Sequence, residues 1–359
     1  MVKYILAAIF VGLVPVHVLA LTKIDEFKAR PPIHISGSST ISPAGLSPEM
    51  IKTAYHLPKT GGNGTIAIIG AFDNPTIETD LNVFSKTFGL PVCTGATGCF
   101  EKHLIDKTTK SDPGWVLETS LDVEWAHAIA PNAKILLVSA KTASGTNLLK
   151  AVDYARMQPG VVAISMSWGG PEFAAETELD SHFASSTVTF FASSGDNGAG
   201  VSWPAVSPNV VGVGGTRLKI FSGDKISESA WAGSGGGISS FEPQPTFQSD
   251  YNIPKAQNMR AVPDVAFNAD PNSGFSVYKS GKWYVVGGTS AGAPQWAAIK
   301  ALGLSASNDK FYLDKSSVSS NAYFRDITSG TNGDCKYYCD ARKHYDYVTG
   351  LGSPLTVTF

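Results

Sequence analysis

The sequence carries little charge, and this shortage excludes several kinds of partner. Charged residues make up 16% of the 359 residues, and the formal net charge is -2. We therefore expect neither a basic surface for nucleic acid nor a cationic face for anionic membranes. After residue 20, no apolar run is long enough to cross a bilayer. The 36 glycines and 21 prolines indicate many turns, which is typical of a loop-rich enzyme rather than a helical bundle.

Cysteine is also scarce, and the four cysteines fall into two local pairs. Cys93 and Cys99 close one short loop, and Cys335 and Cys339 flank another. In an oxidising compartment, two local disulfides are the simplest pairing. Four free thiols are the alternative. A zinc site built from all four is disfavoured, because the pairs lie far apart in sequence and no Cys-x-x-Cys spacing occurs.

The N-terminus has the pattern of a secretory signal peptide at residues 1–20. Lys3 supplies a positive start, residues 5–16 form an apolar core, and Val18 and Ala20 are small residues at the positions that determine cleavage. We therefore predict a secreted, extracellular protein that has no membrane contact after signal removal.

An uncleaved membrane anchor is the alternative, but Pro15 and His17 interrupt the apolar run, which is short for a bilayer. The next segment, residues 21–45, is polar and contains a proline pair and a serine-rich run. This composition predicts a short N-terminal arm rather than a folded domain.

From residue 46 onward, apolar runs alternate with segments of helical pattern. Strands are predicted at residues 65–71, 135–139, 161–166, 187–192 and 210–213, and helices at residues 77–88, 115–130, 146–157, 173–185 and 295–302. Strands that are apolar throughout are typical of a parallel sheet covered on both faces. We therefore predict an α/β fold: one domain over residues 46–359, with a doubly wound, mostly parallel sheet and helices on both faces.

Ser290 lies among small residues between an apolar, strand-like run at residues 283–286 and a predicted helix. Small neighbours allow a sharp turn, and free N–H groups at a helix N-terminus stabilise an anion. This placement suits a serine nucleophile. However, no histidine stands in a His-Gly-Thr-His setting to accept its proton. Either another group accepts the proton or Ser290 is not a nucleophile.

Glu118 and Asp122 are the candidates for that other group. They are four positions apart on a predicted helix and therefore share one face. Apolar neighbours suggest that the pair lies in a low dielectric, where one of two close carboxyls keeps a proton. A solvated helix face is the alternative, and Glu124 on the same helix is interpreted in that way.

Asp196 follows the predicted strand that ends near residue 192, in a turn that Gly195 and Gly198 permit. It either stabilises the turn or, if protonated, donates a hydrogen bond to a developing oxyanion. The spacing does not choose between these roles.

Two glycine-containing segments are candidates for a substrate cleft. Residues 235–237 lack the Lys and Ser or Thr of a phosphate cradle, so close approach of an extended peptide is favoured. Residues 165–170 follow a strand and are interpreted as lining the same cleft. Near the C-terminus, Asp326, Ile327 and Asp346 offer oxygen ligands on two loops, which suits calcium, although simple turn aspartates are the alternative.

Four of these motifs occur in the order seen in the sedolisin family of serine-carboxyl peptidases, which the sequence therefore resembles. They are residues 118–122, 194–196, 234–237 and 288–294, and further matches lie at residues 46–55, 213–216, 263–265 and 349–354. The resemblance covers about residues 46–359. It implies a subtilisin-like fold and a peptidase domain over this range.

The resemblance also implies the roles of the site residues. Ser290 would be the nucleophile, Glu118 the general base and then the general acid, Asp122 the partner that orients Glu118 and shares its proton, and Asp196 the oxyanion donor. Peptide or protein substrates would be cut through an acyl-enzyme at acidic pH, and a monomer is expected. The implied substrate-binding residues are Ser167, Trp168, Gly169 and Gly236.

One calcium ion is implied as well. The side chains of Asp326 and Asp346 and the carbonyl of Ile327 match the family ligands, whereas Arg342 and His344 stand where the family usually has glycines. Most members also carry a long N-terminal prodomain. Residues 21–45 leave room only for an arm, which we expect to be vestigial or removable.

A catalytically silent secreted binding protein on the same fold is the alternative function. All four proposed catalytic residues are present, which favours an active enzyme. An ordinary Ser-His-Asp subtilase would need the missing histidine motif. A serine lipase would need Gly-x-Ser-x-Gly around Ser290, which is absent.

Overall fold

An eight-stranded sheet forms the centre of the computed structural model, which describes residues 23–107, 109–223, 225–303, 306–312 and 323–355. The predicted signal peptide at residues 1–20 lies outside the described residues. The strands are β1 His34–Ile35, β2 Thr65–Ala71, β3 Phe100–Leu104, β4 Lys134–Ala140, β5 Val161–Met166, β6 Thr189–Ser193, β7 Val210–Ile220, β8 Ile226–Ala230, β9 Gly237–Pro243, β10 Met259–Val262, β11 Val265–Asn268, β12 Phe275–Lys279, β13 Lys282–Gly287, β14 Phe324–Arg325 and β15 Ser353–Pro354.

The strand order in this sheet is β11-β7-β6-β5-β2-β4-β3, and all of these neighbours are parallel. β8 pairs antiparallel with the far half of β7. Within this sheet the chain passes first through the interior strand β2, then forms β3 and β4 on one side of it, and then β5, β6, β7 and β11 on the other. The predicted doubly wound, mostly parallel sheet is therefore confirmed.

Helices cover both faces of the sheet. They are α1 Pro48–Ala54, α2 Ile77–Phe88, α3 Pro113–Ile129, α4 Gly145–Arg156, α5 Thr246–Tyr251, α6 Gly292–Ala301 and α7 Asn308–Phe311, with 3-10 segments at Ile105–Lys107, Glu176–Phe183, Pro271–Ser273, Thr289–Ala291 and Lys336–Tyr338. Along β2 the side chains alternate: Ile66 and Ile68 join the apolar cluster of α2, α3 and α6, whereas Ala67 and Ile69 join that of α4. This alternation follows from the period of two in a strand.

α3 is the element that brings acidic side chains into the protein interior. Asp112 caps it by accepting N–H groups from Gly114 and Trp115, and Pro113 occupies the first turn, where its missing N–H costs nothing. Every residue from Trp115 to Ile129 is buried. A helix buried on all sides is one that crosses a core. The interpretation of Glu124 as solvated is therefore wrong: it is 0% exposed and accepts the N–H of Tyr278 at 3.0 Å.

Two predicted elements differ from the structure. The helix predicted at residues 173–185 is instead the 3-10 segment Glu176–Phe183, because the helical pattern of the sequence does not distinguish a short 3-10 segment from an α-helix. The strand predicted at residues 210–213 continues to Ile220, because β8 pairs with its second half. The other predicted helices and strands are present, with ends shifted by at most a few residues.

The described part of the arm packs on the domain. Ile24, Phe27 and Ala29 are buried in the apolar cluster on the α4 face, and β1 pairs antiparallel with β13. The predicted local disulfides form, between Cys93 and Cys99 and between Cys335 and Cys339. Among the described helices, none combines the length and the apolar character that a membrane span requires.

Candidate active site

The predicted catalytic residues converge at one edge of the sheet. Ser167 follows β5, Asp196 follows β6, and Ser290 lies between β13 and α6, while α3 presents Glu118 and Asp122. The carboxyl ends of parallel strands share an edge, where open α/β sheets carry their sites. Close packing of α3 on α6 and on the Ser290 turn joins these elements.

Ser290 sits in the 3-10 turn Thr289–Ala291 that leads directly into α6. Gly288 makes the turn possible. Its φ is +125°, and a Cβ there would lie 2.2 Å from the carbonyl oxygen of Pro32 and 2.6 Å from Asp196 Oδ2. No L side chain fits at this position. The Ser290 hydroxyl is buried and has no hydrogen-bond partner within the described residues.

Glu118 and Asp122 form a buried carboxyl pair beside Ser290. They are 1% and 0% exposed, respectively. The Ser167 hydroxyl lies 2.7 Å from Asp122 Oδ1 and 3.1 Å from the carbonyl oxygen of Ser290, and its single proton serves the shorter contact to Asp122. Both oxygens of Glu118 and Oδ2 of Asp122 lack hydrogen-bond partners among the described residues. These free oxygens are available to accept a proton.

Burial and the repulsion between the two carboxyls keep a proton on the Glu118–Asp122 pair. Burial raises the pKa of Glu118 well above its usual range, the negative charge of Asp122 raises it further, and the nearby Ser290 hydroxyl lowers it. Burial also raises the pKa of Asp122 to about 8, against the opposing effect of Ser167. The two carboxyls titrate as a unit, and burial favours a state in which the unit holds at least one proton. A solvated helix face is thereby excluded.

Asp196 connects the loop after β6 to the Ser290 turn. Its Oδ1 accepts the backbone N–H and the hydroxyl of Thr289, each at 2.8 Å. Its Oδ2 lies 3.1 Å from His34 Nε2. Burial raises the pKa of Asp196, whereas His34 and Thr289 lower it. Its position next to the Ser290 turn is compatible with an oxyanion donor, and that role stays a prediction.

The residues predicted to bind substrate occupy different environments. Ser167 contacts Asp122, as described above. Trp168 is 0% exposed and packs in the apolar core, so its side chain is not available to a ligand. Gly169 exchanges two backbone hydrogen bonds with Arg30. Gly236 already pairs with Gly200 through its N–H and its carbonyl and does not line the cleft that contains Gly169.

The predicted calcium ligands Asp326 and Asp346 lie on two loops joined by hydrogen bonds. Asp326 Oδ2 accepts the His344 N–H at 3.0 Å, and Asp346 Oδ2 accepts the Arg342 N–H at 3.1 Å. Asp326 Oδ1 is buried and has no partner among the described residues, and burial raises the pKa of both carboxyls. Ile327 is 1% exposed. The buried carboxylate of Asp346, the half-buried carboxylate of Asp326 and one unpartnered oxygen fit a calcium ion, which prefers oxygen ligands.

The backbone at residue 344 has a conformation that glycine favours. His344 has a φ of +66°, which non-glycine residues rarely adopt. The Arg342 guanidinium stacks over the ring of Tyr337 at 4.2 Å.

Several residues at the site were not foreseen. Thr289 holds Asp196, and the arm residues Pro32 and His34 reach the Ser290 turn. Nothing in the sequence of residues 21–45 indicates this contact, because the segment has neither helical nor strand periodicity.

A second group of carboxyls, two buried and two half-buried, lies outside the catalytic edge and was not predicted. Its members are Glu172, Glu176, Asp180 and Glu242. Burial raises the pKa of Glu176 to about 9, of Glu242 to about 8 and of Asp180 to about 6.

Comparison with known proteins gives one consistent family. Residues 108–330 match the family model described as the Subtilase family. Kumamolisin from Bacillus sp. (strain MN-32) is 33% identical over 92% of this chain and 65% of its own length. Sedolisin from Pseudomonas sp. (strain 101) is 29% identical over 86% of this chain and 60% of its own length. The chain thus spans less than two thirds of these curated relatives.

A solved structure agrees with the sequence comparisons. Pseudomonas sedolisin, a serine-carboxyl proteinase complexed with two molecules of pseudo-iodotyrostatin, superposes with a TM-score of 0.74 at 28% identity. The superposition covers 87% of this chain and 96% of that one.

Proposed function

This chain belongs to the sedolisins, within the subtilase family and with a subtilisin-like fold, and from this premise we propose that it is a secreted peptidase. It cleaves peptide bonds at acidic pH through an acyl-enzyme, with Ser290, Glu118 and Asp122 as the triad and Asp196 as the oxyanion donor. Its substrates are peptides or proteins.

The observation that carries this proposal is the buried carboxyl pair next to a buried serine hydroxyl. Glu118 accepts the proton of Ser290 as the hydroxyl attacks the peptide carbonyl, and then returns it to the leaving amine. Asp122 shares a proton with Glu118, and Ser167 holds Asp122 in place at 2.7 Å. A carboxyl base stays functional at a pH where a histidine base would already be protonated.

The pH range follows from the same groups. At low pH the Glu118–Asp122 pair takes up a second proton, and Glu118 no longer acts as a base. At high pH Asp196 loses the proton that it must donate to the oxyanion. Activity therefore rises and falls with pH as a bell-shaped profile. Burial raises the pKa of Asp196, which extends the range in which it remains a donor.

A pH profile on a mixed peptide library tests the proposal with three variants. Ser290→Ala should show no cleavage. Asp196→Asn should retain cleavage at about 10²–10³-fold lower rate, since one oxyanion donor typically contributes that much. Glu124→Gln is the matched control: it changes a buried acid on the same helix that contacts Tyr278 and not the site, so activity should persist. Cleavage by Ser290→Ala at the wild-type rate contradicts the assignment.

We also propose that one calcium ion binds between the loops of Asp326 and Asp346, with carbonyl oxygens of Ile327, Arg342 and His344 completing its shell. The ion would neutralise the carboxylates of Asp326 and Asp346 and tie the C-terminal loops together. The chemistry at Ser290 does not involve it.

A further inference from the structure

A C-terminal hairpin packs against the loop that carries Asp196. The hairpin spans residues 330–341, and backbone hydrogen bonds join its two sides. Among them, the Asn332 N–H donates to the carbonyl of Cys339 at 3.0 Å, and the disulfide between Cys335 and Cys339 closes the turn. Asn332 is 4% exposed, so it lies on the inner side of the hairpin, against the domain.

The backbone of Asn332 contacts the loop of residues 194–200, which we call the Asp196 loop. The Asn332 carbonyl oxygen accepts the Ala199 N–H at 3.0 Å. The same oxygen lies 2.6 Å from the point where a Gly198 Cβ would be, and Gly198 has a φ of +73°. Only glycine permits so close an approach at this backbone angle. The hairpin therefore fixes the Asp196 loop three residues after Asp196.

The side chain of Asn332 reaches the other flank of Asp196 through the glycine-rich segment. Its Nδ2 donates to the carbonyl of Ser234 at 2.7 Å, in a buried contact. The next residue, Gly235, donates its N–H to the carbonyl of Gly195 at 2.7 Å. Gly195 immediately precedes Asp196 in the chain. Asn332 is thus connected to both sides of the aspartate, directly on one side and through the glycine-rich segment on the other.

The Asp196 carboxyl can act as an oxyanion donor only in a narrow range of positions. Its contacts to the N–H and the hydroxyl of Thr289 orient the carboxyl, whereas the position of its backbone depends on the groups that hold the loop. A donor must lie about 2.7–3.1 Å from the developing charge, and a displacement of about 1 Å can cost about 10²-fold in rate. A residue that fixes the loop therefore affects the rate without touching the substrate.

We propose that Asn332 is a positioning residue for the peptidase reaction, which holds both flanks of the Asp196 loop and thereby keeps the Asp196 carboxyl in place beside Ser290. This inference rests on the proposed function, in which Asp196 is the oxyanion donor, and it extends that function by one residue. The hydrogen bonds of Asn332 join it to backbone groups of the Asp196 loop, the glycine-rich segment and the hairpin. It therefore acts through Asp196 and not on the substrate.

Steady-state cleavage of one peptide by the full chain at acidic pH tests this role. Asn332→Ala removes the donor to Ser234 and should lower kcat about 10-fold, which is part of the roughly 10²–10³-fold effect of an oxyanion donor. KM should change by less than about 2-fold, because the oxyanion exists only in the transition state. In an Asp196→Ala background, the same substitution should lower kcat by less than about 2-fold, since the group through which it acts is absent.

Asn308→Ala is the matched control. Asn308 is 6% exposed, and its Nδ2 donates to the carbonyl of Val210 at 2.8 Å. Val210 is the first residue of β7, at the edge of the sheet opposite the site. Both alanine variants lose a buried amide hydrogen bond and should lower the thermal midpoint, but only Asn332→Ala should lower kcat. Asn332→Ser, whose hydroxyl is one bond shorter than the amide, is a second variant that should show the same fall in kcat.

The outcomes separate this inference from the proposed function. Wild-type kcat in Asn332→Ala or Asn332→Ser, with cleavage by the wild type, overturns the inference alone. An equal fall in kcat for Asn308→Ala, or for Asn332→Ala in the Asp196→Ala background, also overturns it, because the loss would then not pass through Asp196. No cleavage by the wild type overturns the proposed function and the inference with it.

Discussion

Replacing Glu176 with glutamine should make the protein more stable at neutral pH without changing its stability in acid. Glu176 is 0% exposed, its Oε2 accepts the Phe173 N–H at 2.7 Å, and its Oε1 has no partner among the described residues. Burial raises its pKa to about 9, and the charges of Glu172 and Glu242 add to the effect. Glutamine keeps an oxygen for the Phe173 N–H and removes the ionisable group.

The sign and size follow from proton linkage. In the unfolded chain this carboxyl ionises near its ordinary pKa of 4.5, whereas the folded protein keeps the proton until about pH 9. Between these values the unfolded state binds fewer protons, so stability falls as pH rises, by about 1.4 kcal/mol per pH unit. From pH 4.5 to 7 the wild type should lose about 3 kcal/mol through this group. Glu176→Gln should not, which corresponds to roughly 6 °C in thermal midpoint.

Thermal unfolding between pH 4 and 7 measures the effect, and a Ser290→Ala background prevents self-digestion during heating. Glu49→Gln is the control, since the Glu49 side chain is 80% exposed. The two curves for Glu176→Gln and its parent should coincide at pH 4 and separate at pH 7. Parallel curves over the whole range would refute the reasoning, because the buried carboxyl would then carry no pH-dependent cost.

Two further predictions concern the candidate sites. Ser167→Ala removes the donor that favours ionised Asp122, so the acidic limb of the pH–activity profile should move up by about one pH unit. Ser165→Ala is the control: the Ser165 hydroxyl has no partner among the described residues, so its removal should leave the acidic limb in place. A chelator should lower the thermal midpoint by roughly 5 °C if calcium is present at about 100 times its Kd, and Asp326→Asn should abolish the response. An acidic limb that does not move in Ser167→Ala would contradict the first prediction. Equal thermal midpoints with and without the chelator would contradict the second.

The central strands and their helices were predictable because their local sequence patterns agree with their positions in the fold. β2 is buried at every position since both of its faces are covered, and the predicted bounds of β2, β5 and α2 match the structure. β8, β9 and β12 were not predicted. They are of mixed polarity, and the local sequence does not reveal which strands they pair with.

The residues of the candidate site were predictable from the sequence, but the burial of the residues around them was not. The spacing of Glu118 and Asp122 placed both on one face of a helix. Glu124 lies on the same helix, and its solvated interpretation was wrong because α3 is covered on all sides. Which face of a helix is buried depends on what packs around it. The four-residue spacing of Glu118 and Asp122 does not indicate which face of the helix is buried.

The sequence by itself determined the alternation of buried strands and helices, the turn at Ser290 and the family to which these motifs belong, because each depends on residues close together in the chain. Only the tertiary structure decided that the carboxyl pair is desolvated, that Ser167 contacts Asp122, and that the arm lies across Ser290. Desolvation and contact depend on segments that are far apart in sequence and meet only when the sheet has formed. The raised pKa values of Glu118 and Asp122 arise from that burial.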